Sequence, residues 1–154
     1  MKNIFIIVGM SIALFLASAV HADNPDAIAG KWLDQEKEAQ IEIYKCGDRY
    51  CGKIIWLKEP SYPANDPKGM GGKPRVDREN PDPSKKSRPI AGMNLVWGFS
   101  FSGGNLWEDG FIYNPREGET YKCKITLETP DHLRLRGFIG ISLIGKITHW
   151  TRVK

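Results

Sequence analysis

Apolar and polar residues alternate with a period of two along most of this chain, and only its N-terminus departs toward one continuous apolar run. Such alternation marks strands with one buried and one wet face. Segment 93–101 sets Met93, Leu95, Trp97, Phe99 and Phe101 on one face and Asn94, Val96, Gly98 and Ser100 on the other. Segment 120–127 sets Tyr121, Cys123, Ile125 and Leu127 against Thr120, Lys122, Lys124 and Thr126. Further strands are expected at 30–33, 39–46, 51–57, 106–113, 133–139 and 143–153. Turn residues separate them: Ser102-Gly103-Gly104, "NPREGE", "TPD" and 140–142. The pattern predicts an all-β chain of about eight antiparallel strands on short loops. Closing into a single small up-and-down barrel removes the exposed sheet edges; a flattened two-sheet sandwich is the alternative.

One segment breaks the rhythm. Residues 59–92 read "EPSYPANDPKGMGGKPRVDRENPDPSKKSRPIAG", rich in proline, glycine and both charge signs. Loops of this length inside a compact domain are lids or disordered stretches. An ordered or semi-ordered flap over one end of the barrel is expected, with disorder around 67–73 as the alternative. Asp77, Glu79 and Asp82 lack the ligand spacing of a calcium loop and read as solvated charges.

The N-terminus changes the compartment. Met1 and Lys2 precede an apolar run from Ile4 to Val20, and Val20-His21-Ala22 has the spacing of a signal peptidase site. Residues 1–22 are therefore expected to be a cleaved signal peptide and 23–154 one exported domain, periplasmic or secreted. A membrane anchor is the competing reading, but the run is short for a span of about 20 residues. No second long apolar run follows, so no integral membrane protein is expected after cleavage. The formal net charge of +4 permits anionic partners without demanding them.

Export bears on the cysteines. "YKCGDRYCGKI" holds Cys46 and Cys51, and an oxidising compartment favours a disulfide. The chain has no second pair for a zinc ribbon, and the strand-like flanks do not suit a thioredoxin motif. A Cys46–Cys51 staple is expected across a hairpin with loop Gly47-Asp48-Arg49-Tyr50. Cys123 is left over as a buried small hydrophobe.

Two resemblances follow. Gly30-Lys31-Trp32 with Arg152 near the end of the last strand resembles the lipocalin (calycin) signature, in which the indole packs under the closing arginine. The ordered elements "GKW", "CGDRYCGKIIWL", "NPDPSKKSRPIAGM", "LWEDGFIYNPREGETY" and "RGFIG" resemble the DUF2147 family of small exported bacterial proteins. That resemblance implies one exported domain with paired cysteines and brings no catalytic residue.

Candidate chemistry is sparse. "GMGGKP" is not a phosphate loop and "GISLIG" is not a nucleophile elbow. A three-residue turn at 102–104 would place Trp107, Asp109, Phe111 and Tyr113 inward beside Trp97, with Tyr121 across from them. Trp97, Trp107, Asp109, Tyr113, Tyr121 and Arg152 then form a candidate ligand-binding set, with Asp109 as polar anchor. Alternatively Asp109-Gly110 is a bulge aimed at solvent, and Trp32, Trp56, Trp97, Trp107 and Trp150 simply fill the core. Lys122, Lys124, Arg134, Arg136 and Lys146 suggest a basic outer face, unless Glu108 and Glu128 neutralise it. The expected function is binding of a small apolar or amphipathic ligand; docking to an anionic envelope component is the alternative. No enzyme activity, cofactor, metal or nucleic-acid partner is expected.

Overall fold

The structure, a computed structural model, describes residues 23–140 and 145–154. Its strands are β1 Gly30–Leu33, β2 Ala39–Cys46, β3 Arg49–Leu57, β4 Asn94–Gly103, β5 Leu106–Asn114, β6 Glu119–Thr129, β7 His132–Phe138 and β8 Gly145–Arg152. Each pairs antiparallel with the next, and β8 returns to β1 with Trp32 opposite Arg152, which closes the barrel. The expected signal peptide 1–22 lies outside the described residues. So do residues 141–144, which include part of the expected turn at 140–142 and the start of the expected last strand.

A short 3-10 turn, Pro25–Ile28, plugs one end. Trp32 Nε1 donates to the Ile28 carbonyl at 2.9 Å, and Trp107 Nε1 donates to the Pro25 carbonyl at 3.0 Å. Arg152 donates to the carbonyls of Ala29 (2.9 Å), Ala27 (2.8 Å) and Pro130 (2.8 Å). Its guanidinium carbon lies 4.1 Å from the centroid of the Trp32 ring. The Gly-x-Trp and arginine therefore meet as the resemblance implies. Gly30 has a φ of +128°, and a Cβ there would stand 2.8 Å from Arg152 Nη1, so glycine lets the arginine pass.

The stapled hairpin turns more tightly than expected. Cys46 pairs with Arg49, so the loop is Gly47-Asp48 alone, with Gly47 at a φ of +68°. Arg49 and Tyr50 extend the ladder, and the Tyr50 ring enters the core. The cysteines sit diagonally, with Cα atoms 5.8 Å apart, and are bonded to each other.

Bulges correct the expected faces. Between Tyr50 and Lys53 the β4 strand takes extra residues: Phe99 faces Tyr50, Val96 faces Gly52 and Asn94 faces Lys53. Val96 and Phe99 are buried inside, while Trp97 turns outward and stacks on Phe111, centroids 5.8 Å apart. On β5, Trp107 faces Ile125 but Gly110 faces Cys123, so the ladder gains one residue at Asp109. Asp109 takes a φ of +61° and is exposed. The expected anchor is thus the bulge residue, and Phe111 and Tyr113 follow it to the outer face. The turn also differs from the three-residue loop expected, since Gly103 pairs with Leu106 and leaves Gly104-Asn105 as the tip, but Trp107 still points inward, so the reversal comes from the bulge.

The interior toward the plug is filled by Trp32, Ile41, Ile43, Phe99, Trp107, Ile125, Leu133, Leu135 and Trp150. Trp56, by contrast, is 43% exposed, so the tryptophans do not all fill the core. Cys123 is buried, which pushes its thiol pKa up to about 12 and keeps it protonated.

Two stability measurements probe this frame. The Phe99 ring occupies the space a side chain at Gly110 would need, so Gly110→Ala should cost about 1–3 kcal/mol in urea unfolding. Cys46→Ser should cost about 2 kcal/mol in oxidising buffer, from loop-closure entropy. Under reduction, variant and wild type should melt together; equal melting in both buffers would show that the staple contributes nothing.

Candidate ligand-binding groove

Segment 59–92 is an ordered flap. Two isolated β-bridges cross it, Ser61 with Pro74 and Val76 with Pro89. Asp66 organises the stretch where disorder was the alternative: its carboxylate accepts from the backbone N–H of Lys68 and Met70, both at 3.1 Å, and from Arg78 at 2.9 and 3.0 Å. Burial opposes its charge, but those three donor groups hold its pKa below the usual carboxylate value.

The flap is pinned to the barrel by Asp77, which the sequence suggested was a solvated charge and which is 0% exposed. Its Oδ1 accepts the Tyr113 hydroxyl at 2.6 Å. Its Oδ2 accepts Asn80 Nδ2 at 2.7 Å and Arg88 Nε at 2.8 Å. Asn80 Nδ2 also donates to the Tyr113 hydroxyl oxygen at 3.0 Å. A carboxylate buried this deeply needs such a full set of donors. For Tyr113, burial, then the hydrogen bond to Asp77, push its pKa up to about 12. Glu79 meets Lys68 and Arg78, and Asp82 caps the turn at Ser84, so the three flap carboxylates turn to different partners.

Between flap and barrel runs a groove of about 440 Å³. Asn94 and Trp97 of β4, Tyr113 of β5 and Thr120 of β6 line the barrel side; Asn80, Asp82, Lys85 and Arg88 line the flap side. Bulges made this wall, because regular alternation would have sent Trp97 and Tyr113 inward.

The six predicted site residues therefore do not form one pocket. Trp97 and Tyr113 flank the groove. Trp107 and Arg152 lie at the plugged end beside a second groove of about 540 Å³. There the indole N–H and all three guanidinium nitrogens are engaged by backbone carbonyls, a structural duty. Tyr121 sits at the opposite mouth, donating to Glu117 at 2.7 Å, and Asp109 is outside. Asp77, Asn80 and Arg88 were missed as binding-site candidates. Their one signal was polar and charged residues inside a proline-rich loop, which look the same whether buried or solvated.

An eight-stranded antiparallel barrel plugged by a 3-10 turn, with an arginine on the first tryptophan, is a lipocalin-like architecture. A solved structure, protein HP1028 from the human pathogen Helicobacter pylori, described as belonging to the lipocalin family, superposes with a TM-score of 0.68 over 82% of each chain at 20% identity. At that identity the likeness concerns the fold. The sequence profile of the family described as "Uncharacterized protein conserved in bacteria (DUF2147)" matches residues 30–152, and the chain belongs to that family. No curated protein is matched.

The Asp77 network makes two measurable demands. Asp77→Ala leaves Tyr113, Asn80 and Arg88 without their acceptor and should cost about 2–4 kcal/mol, with faster proteolysis inside 59–92. Tyr50, pushed up by burial and then by Asp26, shares with Tyr113 a pKa of about 12. Both raise the folded value above the unfolded one, so their stabilisation is complete below about pH 10 and fades as pH climbs toward about 12. Absorbance at 295 nm should show these two tyrosines ionising late, and Tyr113→Phe should remove one of them.

Proposed function

We propose that this protein is an exported binding protein for a small amphipathic molecule, held in the groove between the flap and the outer face of β4–β6. One observation carries the reading: an aromatic wall, Trp97 beside Tyr113, faces a polar wall containing Lys85 and Arg88. Binding sites combine such an apolar surface with a few placed polar groups. The packing of Trp32, Phe99 and Trp107 favours the groove over the barrel interior near the plug. Binding rather than catalysis is favoured because Asp77, the buried acid beside the groove, has both oxygens engaged. Export rests on the signal-like run from Ile4 to Val20.

A second reading has an observation of its own. On the outer basic face, Lys124 pairs with Glu108, Arg134 with Glu128 and Lys146 with Glu117. Arg136 Nε is buried without a hydrogen-bond partner, and Lys122 has no ion pair among the described residues. Lys122, which is exposed, suits an anionic envelope surface, as does the part of the half-buried Arg136 that reaches solvent. Sedimentation with anionic vesicles that weakens with salt, and is lost in Lys122→Glu/Arg136→Glu, would favour this role.

For the groove, native mass spectrometry of the protein purified without denaturation should reveal a non-covalent adduct. Trp97→Ala should weaken binding of octyl-chain amphiphiles by about tenfold, the loss expected for about 50 Å² of apolar contact. Unchanged affinity in that variant would overturn the groove as the binding site.

A further inference from the structure

We infer that the groove selects its ligand by an anionic head group, a carboxylate or phosphate, gripped by the outer edge of the Arg88 guanidinium. This rests on the groove reading and adds the chemical class. The reasoning starts from which hydrogen-bonding atoms around the groove are already engaged. Asp77 uses both oxygens on Tyr113, Asn80 and Arg88. Asn80 Oδ1 accepts the Asp82 N–H at 2.9 Å. Asp82 Oδ1 accepts the N–H and hydroxyl of Ser84, and its Oδ2 lies 3.5 Å from Lys85 Nζ. Asn94 Oδ1 accepts the Tyr44 hydroxyl at 3.0 Å. The carboxylate and side-chain amide oxygens lining the groove thus each have a donor, and the one lining hydroxyl without a partner among the described residues, Thr120, can itself donate.

The donors do not balance. Arg88 uses only Nε, on Asp77 Oδ2 at 2.8 Å; among the described residues Nη1 and Nη2 have no hydrogen-bond partner. Asn94 Nδ2 is likewise without a partner among them, and the Lys85 ammonium is more than half exposed. A groove with surplus donors and engaged acceptors fits a ligand that brings acceptors and negative charge.

Arg88 is also held in place. The buried carboxylate pins Nε, and the guanidinium carbon lies 5.4 Å from the centroid of the Tyr113 ring. Its side chain remains 40% exposed. A guanidinium fixed on one side and open on the other presents two parallel N–H groups, the geometry that carboxylate and phosphate oxygens match. Asp77 is then a positioning residue: it orients Arg88 and does not touch the ligand. Trp97 would receive the apolar part of the same molecule.

The test is isothermal titration with octanoate, octyl phosphate and neutral octyl glucoside against wild type, Arg88→Met, Arg88→Lys, Asp77→Asn and Trp97→Ala. Wild type should prefer the two anions over octyl glucoside by about 10- to 100-fold, the worth of one charge-assisted hydrogen-bond pair. Arg88→Met should erase that preference, Arg88→Lys should keep part of it, and Trp97→Ala should weaken all three probes alike. Asp77→Asn should lower the anion-to-neutral ratio, a readout that loss of fold alone does not move selectively. Inorganic phosphate that displaces octyl phosphate supports an anion subsite able to take the free ion. Failure to displace, with the anionic preference intact, supports the same subsite acting only on chain-bearing anions. An Arg88→Met protein that keeps the full preference while Trp97→Ala still weakens binding overturns the anion clamp and leaves the groove reading standing. Binding of every probe unaffected by Trp97→Ala overturns both.

Discussion

Arg152 lies on the Trp32 ring and takes the carbonyls of Ala27, Ala29 and Pro130, joining the last strand, the first strand and the N-terminal turn in one contact. The rest of the structure depends on it, because β1 is only four residues long and meets β8 at just two residue pairs. So short a seam offers few ladder hydrogen bonds. A charged, planar side chain with three engaged nitrogens strengthens closure at the point where the sheet would otherwise open. It also holds the plug, and the plug supplies acceptors for the indoles of Trp32 and Trp107. The buried aromatic interior near that end follows from this arrangement.

Closure restricts the inside, so bulges sort the large side chains. The β4 and β5 bulges draw Val96, Phe99 and Gly110 inward and send Trp97, Phe111 and Tyr113 out. Gly110 has no side chain, and the Phe99 ring fills the space it leaves. An aromatic wall on the outside of a barrel would be exposed on its own, but here the flap lies against part of it. The proposed ligand recognition therefore belongs to the seam between flap and sheet. That seam exists because the loop between β3 and β4 is long enough to fold back over β5.

The flap is held mainly by polar contacts. Asp66 and Asp77 each gather several donors, and together they give a proline-rich, apolar-poor segment its shape. Such networks are costly to leave half-made, which favours one conformation over many. The same networks bring Arg88 to the groove with one edge engaged and the other open.

Periodicity and punctuation made the strands, the single barrel, the 46–51 disulfide and the Gly-x-Trp–arginine closure legible, because these depend on local alternation and on residues whose chemistry admits few partners. The outer face of β6–β7 was legible too: Thr126 opposite Arg134 and Lys124 opposite Arg136. The candidate site was not, apart from Trp97 and Tyr113, which were picked for the wrong face. A one-residue bulge reverses every side chain beyond it, and nothing in "EDG" or "VWGF" says whether the extra residue is accommodated. The flap carboxylates posed the same problem in another form, since an aspartate's fate depends on donors brought from distant segments. Tyr113 lies 36 residues from Asp77, and only the folding of the flap against β5 turns that pair into a buried hydrogen bond.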